Sequence, residues 1–184
     1  MSTYSNLAGE PAAATAGYVR ALLDLLGDRD ALAVLAEMVP ALETAVAGLD
    51  HVRQRRPEQP GKWSVVEVAA HLADSELVWG FRLRRVLAEE RPRLEGYDQD
   101  RWAQRLRYRE TMLPDSLALF RCLRESSLRL LRAATPADLQ RVAIHAERGE
   151  ETLAHMIKLY AAHDLVHLRQ IARIRAAVEG PPAR

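Results

Sequence analysis

Long stretches of the chain place apolar residues at intervals of three and four, and this periodicity constrains the fold more than any other feature. In the segment 31–49 the apolar stripe consists of Leu32, Leu35, Val39, Leu42, Val46 and Leu49. Such a stripe is typical of an amphipathic helix, and Pro40 within it is expected to kink or restart that helix. The next segment, 63–90, opens with Ser64 and Glu67 at the spacing of a capping box, which predicts a helix of roughly 40 Å.

Two further long helices are predicted in the second half of the chain. One starts near Pro114, a residue that suits the first turn of a helix, and its apolar face carries Leu117, Phe120, Leu128 and Leu131. The other runs from about residue 150 to 178 and is closed by Gly180. Shorter helical pieces are expected at 98–106 and after Thr135. The segment 140–151 lacks a helical stripe and is expected to be irregular or extended, and no segment is a convincing strand. The pattern therefore predicts an all-α bundle of four main helices.

Length and composition agree with one helical domain. The chain has 184 residues and a formal net charge of +1, so a nucleic-acid binder is the least favoured class. We expect residues 1–15 to form a disordered tail and residues 16–180 to form a single domain.

No apolar run approaches the length of about 18 residues that spans a bilayer, and the N-terminus lacks the features of a signal peptide, so we expect a cytoplasmic protein without a membrane span. The single cysteine, Cys122, cannot form an internal disulfide and is expected to be inert core.

Two histidines occupy positions of the last helix where leucine or isoleucine would be expected. The stripe of this helix is Met156, Tyr160, His163, His167, Ile171, Ile174 and Val178. At a spacing of four residues, His163 and His167 are neighbours on one helix face, so that both imidazoles can converge on one ion. A third ligand is offered by His71, on the core side of the helix that Ser64 caps, among small alanines. The alternative is that these histidines are hydrogen-bonded core residues without a metal.

Other polar residues have weaker claims to the site. His51 is expected to be solvated, and His155 lies too far around the helix from His163 to join the cluster. His145 is a candidate for lining a pocket. Asp164 points away from His163, and it either orients a ligand on another helix or makes a surface pair. The capping box already accounts for Glu67.

The two histidine motifs resemble those of a known protein family. The stretch "KWSVVEVAAHLADSE" is followed about ninety residues later by "HDLVHLRQI", and together they resemble the DinB-like (DinB/YfiT) family of metalloenzymes. The segment "YDQDRWA" (97–103) is also similar to the middle of that family's chains. The resemblance covers about residues 31–178. It implies an antiparallel four-helix bundle with a long crossing connection, frequent homodimers, a zinc or nickel ion, and His71, His163 and His167 as its ligands.

The resemblance leaves several activities open. Three neutral imidazoles leave the charge of a divalent ion unneutralised, which makes the ion a good Lewis acid. Our first expectation is a transferase that activates a low-molecular-weight thiol of the bacillithiol or mycothiol type. The alternatives are a hydrolase that uses water at the same ion, and a non-enzymatic metal-binding stress-response dimer. A thiol cofactor would need basic recognition groups around a small-molecule substrate site, and Arg148 and His145 are candidates for the rim. The basic stretch 105–110 is expected to be interface or solvated surface.

Overall fold

The computed structural model describes residues 12–180 and is built mainly of helices. In chain order the elements are α1 (Ala12–Leu26), α2 (Ala31–Val46), α3 (His51–Arg55), α4 (Val65–Ala88), β1 (Arg93–Leu94), α5 (Gln99–Arg105), α6 (Leu113–Ala133), α7 (Pro136–Leu139), β2 (Val142–His145), β3 (Gly149–Thr152) and α8 (Leu153–Glu179), with a short 3-10 turn at Tyr108–Glu110 between α5 and α6. None of the described helices is long and apolar enough to span a bilayer.

Four helices form the bundle. The helices α2, α4, α6 and α8 pack in a ring, in which α4 lies between α6 and α8, and α2 lies opposite α4 between the same two neighbours. The predicted all-α four-helix bundle is therefore confirmed. The helix α1 packs on the outside of α8 and contributes Leu22 and Leu26 to the core. This helix was not predicted. Its start at Ala12 places residues 12–15 of the predicted tail in a helix, whereas residues 1–11 lie outside the described residues.

A local signal sets the start of α4 as predicted, whereas α8 begins at Leu153 and residues 150–152, predicted as its first turn, belong to β3. The Ser64 hydroxyl accepts from the backbone N–H of Glu67 at 3.5 Å, and the Glu67 carboxylate accepts from the backbone N–H of Ser64 at 2.8 Å. This capping box satisfies two donors that the first turn of α4 would otherwise leave free. Pro40 lies inside α2 and does not interrupt it, although it removes one helical hydrogen bond.

The prediction that the chain contains no strand is wrong. The expected extended crossing forms a hairpin of β2 and β3, with antiparallel pairs from Val142 and Thr152 to His145 and Gly149. The two-residue strand β1 pairs with β2 in parallel, which completes a small three-stranded sheet. Gly149 has a φ of +78°, a conformation that costs little only for glycine. Arg141, which directly precedes β2, donates to the carbonyls of Val86 at 2.6 Å and Glu89 at 2.7 Å and so ties the connection between α6 and α8 to the end of α4.

Candidate metal centre

The three predicted histidines come together between α4 and α8. His71 lies in α4, while His163 and His167 lie one turn apart in α8. The Nε2 atom of His163 is 3.3 Å from Nε2 of His71 and 3.1 Å from Nε2 of His167. One ring nitrogen from each residue lies within 4.8 Å of the others, and no further His, Cys, Asp or Glu of residues 12–180 joins this group.

The spacing of these nitrogens fits a single metal ion. Two nitrogens that are each about 2.1 Å from a tetrahedral ion are about 3.4 Å apart. The observed separations of 3.1 and 3.3 Å are close to that value. Three lone pairs at this distance repel one another unless a cation or a proton lies between them. The donor set is all imidazole, which suits zinc and nickel among the common divalent ions.

A hydrogen bond fixes the tautomer of His167. Its Nδ1 atom lies 2.8 Å from Oε1 of Gln170, one helical turn further along α8. A carbonyl oxygen only accepts, so Nδ1 carries the proton and Nε2 presents its lone pair to the other two rings. The Nδ1 atoms of His71 and His163 are buried and have no hydrogen-bond partner among the described residues. Gln170 is a functional candidate to which the sequence analysis assigned no role.

Burial keeps the three imidazoles neutral. It lowers the pKa of His71 well below its usual range, with a further contribution from His167. Burial also lowers the pKa of His163, as do the two neighbouring histidines and Arg124. The pKa of His167 falls to about 4 because of burial, which outweighs the hydrogen bond to Gln170. Neutral imidazole is the form that binds a metal, so these residues stay ready for coordination at neutral pH.

Aromatic rings hold the histidines in position. Trp63 contacts His71 with a centroid separation of 5.0 Å. Tyr160 stacks on His163 at 5.6 Å with an interplanar angle of 10°, and its ring also stacks on Trp79 at 4.7 Å. The histidine rings therefore have little freedom to turn away from one another.

Asp164 makes neither of the contacts that the sequence suggested as alternatives, because it is buried and pairs with Arg124. Their guanidinium and carboxylate groups meet at 2.6 and 3.1 Å, and Arg124 also donates to Glu76 at 2.9 Å and to the carbonyl of Leu35 at 2.8 Å. Burial raises the pKa of Asp164 to about 6, although Arg124 opposes this shift. Burial alone would lower the pKa of Arg124. The charges of Asp164 and Glu76 outweigh burial, so the pKa of Arg124 lies above its usual value.

A cleft of about 150 Å³ opens beside the histidines and is bounded by α1, α4, α8 and the hairpin. His163 forms part of its wall, and its apolar and aromatic side is formed by Val19, Leu22, Val78, Trp79, Leu159 and Tyr160. Its polar side contains Arg82, Arg148 and Tyr97. The Tyr97 hydroxyl is 2.7 Å from the Ser75 hydroxyl, which is in turn 3.3 Å from Nε2 of His71. Hydroxyl groups thus connect the cleft to the histidine cluster.

Of the two residues proposed for the rim, Arg148 lines the cleft and His145 does not. His145 is buried in β2, where its Nδ1 atom accepts from the backbone N–H of Glu147 at 3.2 Å. Arg82 was not predicted to line the site, and no role was predicted for Tyr97, although Tyr97 lies in the segment 97–103 that resembles the family. Arg82 is eleven residues after His71, close to three helical turns, which is the signal that could have placed it on the same face of α4.

The remaining candidates lie away from the cluster. His51 is exposed, as predicted. His155, which was predicted to lie apart from the cluster, is half-buried beside Glu151. Glu67 caps α4 and also accepts from Arg109 at 2.9 Å. The prediction that Cys122 belongs to the core is wrong, because this side chain is exposed on α6.

The sequence model of the DinB superfamily matches residues 14–171. A protein of Bacillus mycoides named "Putative metal-dependent hydrolase" is 31% identical over 141 residues, which cover 73% of this chain and 77% of that one. A protein of Oceanobacillus iheyensis with the same description is 32% identical over 133 residues, covering 72% and 77% of the two chains.

A solved structure has the same fold. YfiT from Bacillus subtilis, described as a probable metal-dependent hydrolase with an unusual four-helix bundle topology, superposes with a TM-score of 0.73. The match covers 78% of this chain and 83% of that one at 29% sequence identity.

Proposed function

Because the chain belongs to the DinB superfamily, we propose that it is a metal-dependent enzyme that acts on a small molecule, with hydrolysis as its reaction. His71, His163 and His167 are proposed to hold one divalent ion. The observation that carries this proposal is the convergence of three Nε2 atoms at 3.1 and 3.3 Å between α4 and α8. The curated relatives named as metal-dependent hydrolases support the choice of reaction.

The metal would supply Lewis acidity, which lowers the pKa of a bound water or thiol. The chain supplies the surroundings of that ion. Gln170 holds His167 in the tautomer that directs a lone pair at the cluster. Burial raises the pKa of Tyr97, so its phenol stays protonated at neutral pH and can donate to a substrate in the cleft or to Ser75. Trp79 and Tyr160 form part of the apolar side of the cleft.

A structural role for the metal is less well supported. Structural zinc sites usually have four protein ligands. Within residues 12–180, only three His, Cys, Asp or Glu side chains converge, and the cleft reaches one of them, His163. An ion held by these three would keep a position for a substrate or water.

Thiol transfer is the second candidate, and the basic side of the cleft favours it. A low-molecular-weight thiol cofactor needs basic recognition groups, and Arg82 and Arg148 both line the cleft beside His163. The two reactions would use the same ligands. A hydrolase would turn over without added thiol, whereas a transferase would require the thiol and would form a product with a new carbon–sulfur bond.

The first experiment measures metal content. Untagged protein, loaded with zinc or nickel and dialysed, is analysed for bound metal beside His163→Ala and the matched control His155→Ala, which removes a histidine of α8 that lies outside the cluster. About one ion per chain in the wild type and in the control, with loss in His163→Ala, would establish the site. A folded wild type that retains neither metal would overturn the proposal.

The second experiment separates the two reactions. Metal-loaded protein is assayed on ester, amide and activated-halide substrates with and without a low-molecular-weight thiol, and His163→Ala serves as the inactive control.

We also propose a homodimer, which light scattering of the purified protein at several concentrations would test. A mass of one chain at all concentrations would contradict it.

A further inference from the structure

The cleft beside the histidines has an unbalanced set of charges. Arg82 and Arg148 are the charged side chains of its described wall, and no carboxylate lines it. Arg148 pairs with Glu151, which does not line the cleft, so Arg82 is the cation of this described wall without a paired carboxylate. A cation that faces a partly enclosed space without a matching anion favours a negatively charged ligand there. This asymmetry is the starting point for assigning a substrate class.

Arg82 forms no ion pair within residues 12–180. Its guanidinium is half-buried and donates to the backbone carbonyl of Glu95, which leaves most of its five N–H groups free of a charged acceptor. Burial lowers the pKa of Arg82, and the nearby charge of Arg148 lowers it further. The carboxylates of Glu151 and Glu147 act on Arg82 from the hairpin, but neither lines the cleft.

Arg148 is already oriented at the hairpin. It binds the buried carboxylate of Glu151 through two hydrogen bonds of 2.6 and 2.9 Å. Such a bidentate contact fixes the plane of the guanidinium and leaves further N–H groups for a second acceptor. Arg148 therefore needs little reordering to bind a ligand.

The opposite wall of the cleft is apolar but contains buried donors without partners. Trp79 and Tyr160 both line the cleft, and the indole N–H and the phenol hydroxyl have no hydrogen-bond partner among the described residues. Val19 and Leu22 from α1 complete this wall. The volume of about 150 Å³ is similar to that of an engineered cavity of about 150 Å³ that holds benzene.

We infer that the cleft binds a small organic anion whose apolar body, about the size of one ring, packs on Trp79 and Tyr160 while its carboxylate or phosphoryl group pairs with Arg82 and Arg148. This inference rests on the proposed function for the reaction, since it places the reacting part of the ligand near His163. The inferred binding of the anion does not depend on the proposed function, because the two arginines belong to the chain whether or not a metal is present.

The test measures binding to metal-free protein, so that a carboxylate cannot bind through the ion. Benzoate, phenyl phosphate and the uncharged isostere benzamide are titrated by calorimetry into wild type, Arg82→Gln and Arg148→Gln. The matched control is Arg169→Gln, which removes the charge of an exposed arginine of α8 outside the cleft. We expect one of the two anions to bind the wild type and the control at least about tenfold more tightly than benzamide does, and Arg82→Gln to abolish that preference.

The outcomes separate this inference from the proposed function. Equal binding of benzamide and both anions, no binding of any probe, or full retention of the preference in Arg82→Gln would overturn the inference. A preference for benzoate would identify a carboxylate substrate, and a preference for phenyl phosphate would identify a phosphoryl compound. If the preference is present but the wild type takes up no metal, the inference stands and the proposed metal-dependent reaction fails.

Discussion

At the scale of single residues, Gln170 has the most direct influence on a proposed ligand. Its amide oxygen accepts from Nδ1 of His167 at 2.8 Å. This contact both selects the tautomer and restrains rotation of the ring. Outer hydrogen bonds of this kind raise the basicity of a histidine ligand and reduce the entropy lost when a metal binds.

Replacing Gln170 should weaken metal binding without removing the ligands. We expect Gln170→Leu to lower zinc affinity by about 10- to 100-fold, measured by competition with a chromophoric chelator. Gln170→Glu keeps an acceptor oxygen at the same distance from the backbone and should restore most of the affinity. Equal affinity in Gln170→Leu and wild type would show that the contact does not position His167.

The lowered pKa of His167 predicts an acid-sensitive fold. The folded protein holds this pKa near 4, below the ordinary value of 6.5, so the unfolded chain binds the proton more tightly. The stabilisation is thus fully present above about pH 6.5 and is lost as the pH falls towards 4. At about 1.4 kcal/mol for each unit of pKa, this loss is on the order of 3 kcal/mol.

Urea unfolding of metal-free protein between pH 7.5 and 4 measures this effect. The free energy of unfolding should decrease most steeply below about pH 6.5. His167→Leu removes the titrating group and should flatten part of the decrease. An unchanged profile in that variant would assign the acid sensitivity to other groups.

The sequence predicted which histidines meet but not what surrounds them. Helical spacing alone places His163 and His167 on one face, because their relation is local. The partner of Asp164 depends on how α6 and α8 are rotated against each other, which periodicity along one chain segment does not encode. Cys122 was assigned to the core by its apolar neighbours, yet it lies two residues from the buried Phe120 and so points to another side of α6.

At the scale of the elements, one buried network ties together all four helices of the bundle. Arg124 of α6 pairs with Glu76 of α4 and Asp164 of α8, and it donates to the carbonyl of Leu35 in α2. The three charged side chains are 0–1% exposed. The network lies next to His163, which precedes Asp164 in the chain, and it fixes the rotation of α8 about its axis.

Truncating the arginine should destabilise the bundle strongly. Arg124→Ala leaves two carboxylates buried without a cation, and such losses cost about 3–5 kcal/mol. A triple variant with Arg124→Met, Glu76→Leu and Asp164→Leu removes all three charges and should recover most of the stability, since apolar replacements of buried ion networks are often neutral or stabilising. Urea denaturation of both variants gives the comparison, and a truncation as stable as the wild type would contradict the assigned role.

The elements themselves were predictable to different degrees. The start of α4 and the one-turn helix α7 depend on capping residues within a few positions, so the sequence specified them. The strands β2 and β3 have four residues each, too few to show an alternating pattern. They form because the chain between α6 and α8 must satisfy the hydrogen bonds of its backbone. The strand β1, which precedes them by about fifty residues in the chain, supplies partners for the other edge of β2.

At the scale of the whole molecule, the histidines lie between two apolar clusters. One cluster contains Leu22, Leu83 and Met156 towards the hairpin, and the other contains Phe120 and Ile171 towards the opposite end of the bundle. His71 and His163 are 92 positions apart in the chain, so the unfolded protein would rarely bring them together. A metal at this position binds the folded state almost exclusively, and its binding energy adds to the stability of the bundle.

Zinc should therefore raise the unfolding temperature of the protein through the histidine cluster alone. Free zinc at one hundred times its dissociation constant stabilises a folded protein by about 2.7 kcal/mol. For a chain of this length, that corresponds to an increase in Tm of roughly 5–10 °C. Calorimetry with and without zinc should show this increase for wild type and for His155→Ala, and none for His163→Ala, because the two remaining ligands, His71 and His167, would bind zinc much more weakly than three do. An equal increase in His163→Ala would mean that zinc stabilises the fold from another site, and the bundle core would then hold three histidines for packing alone.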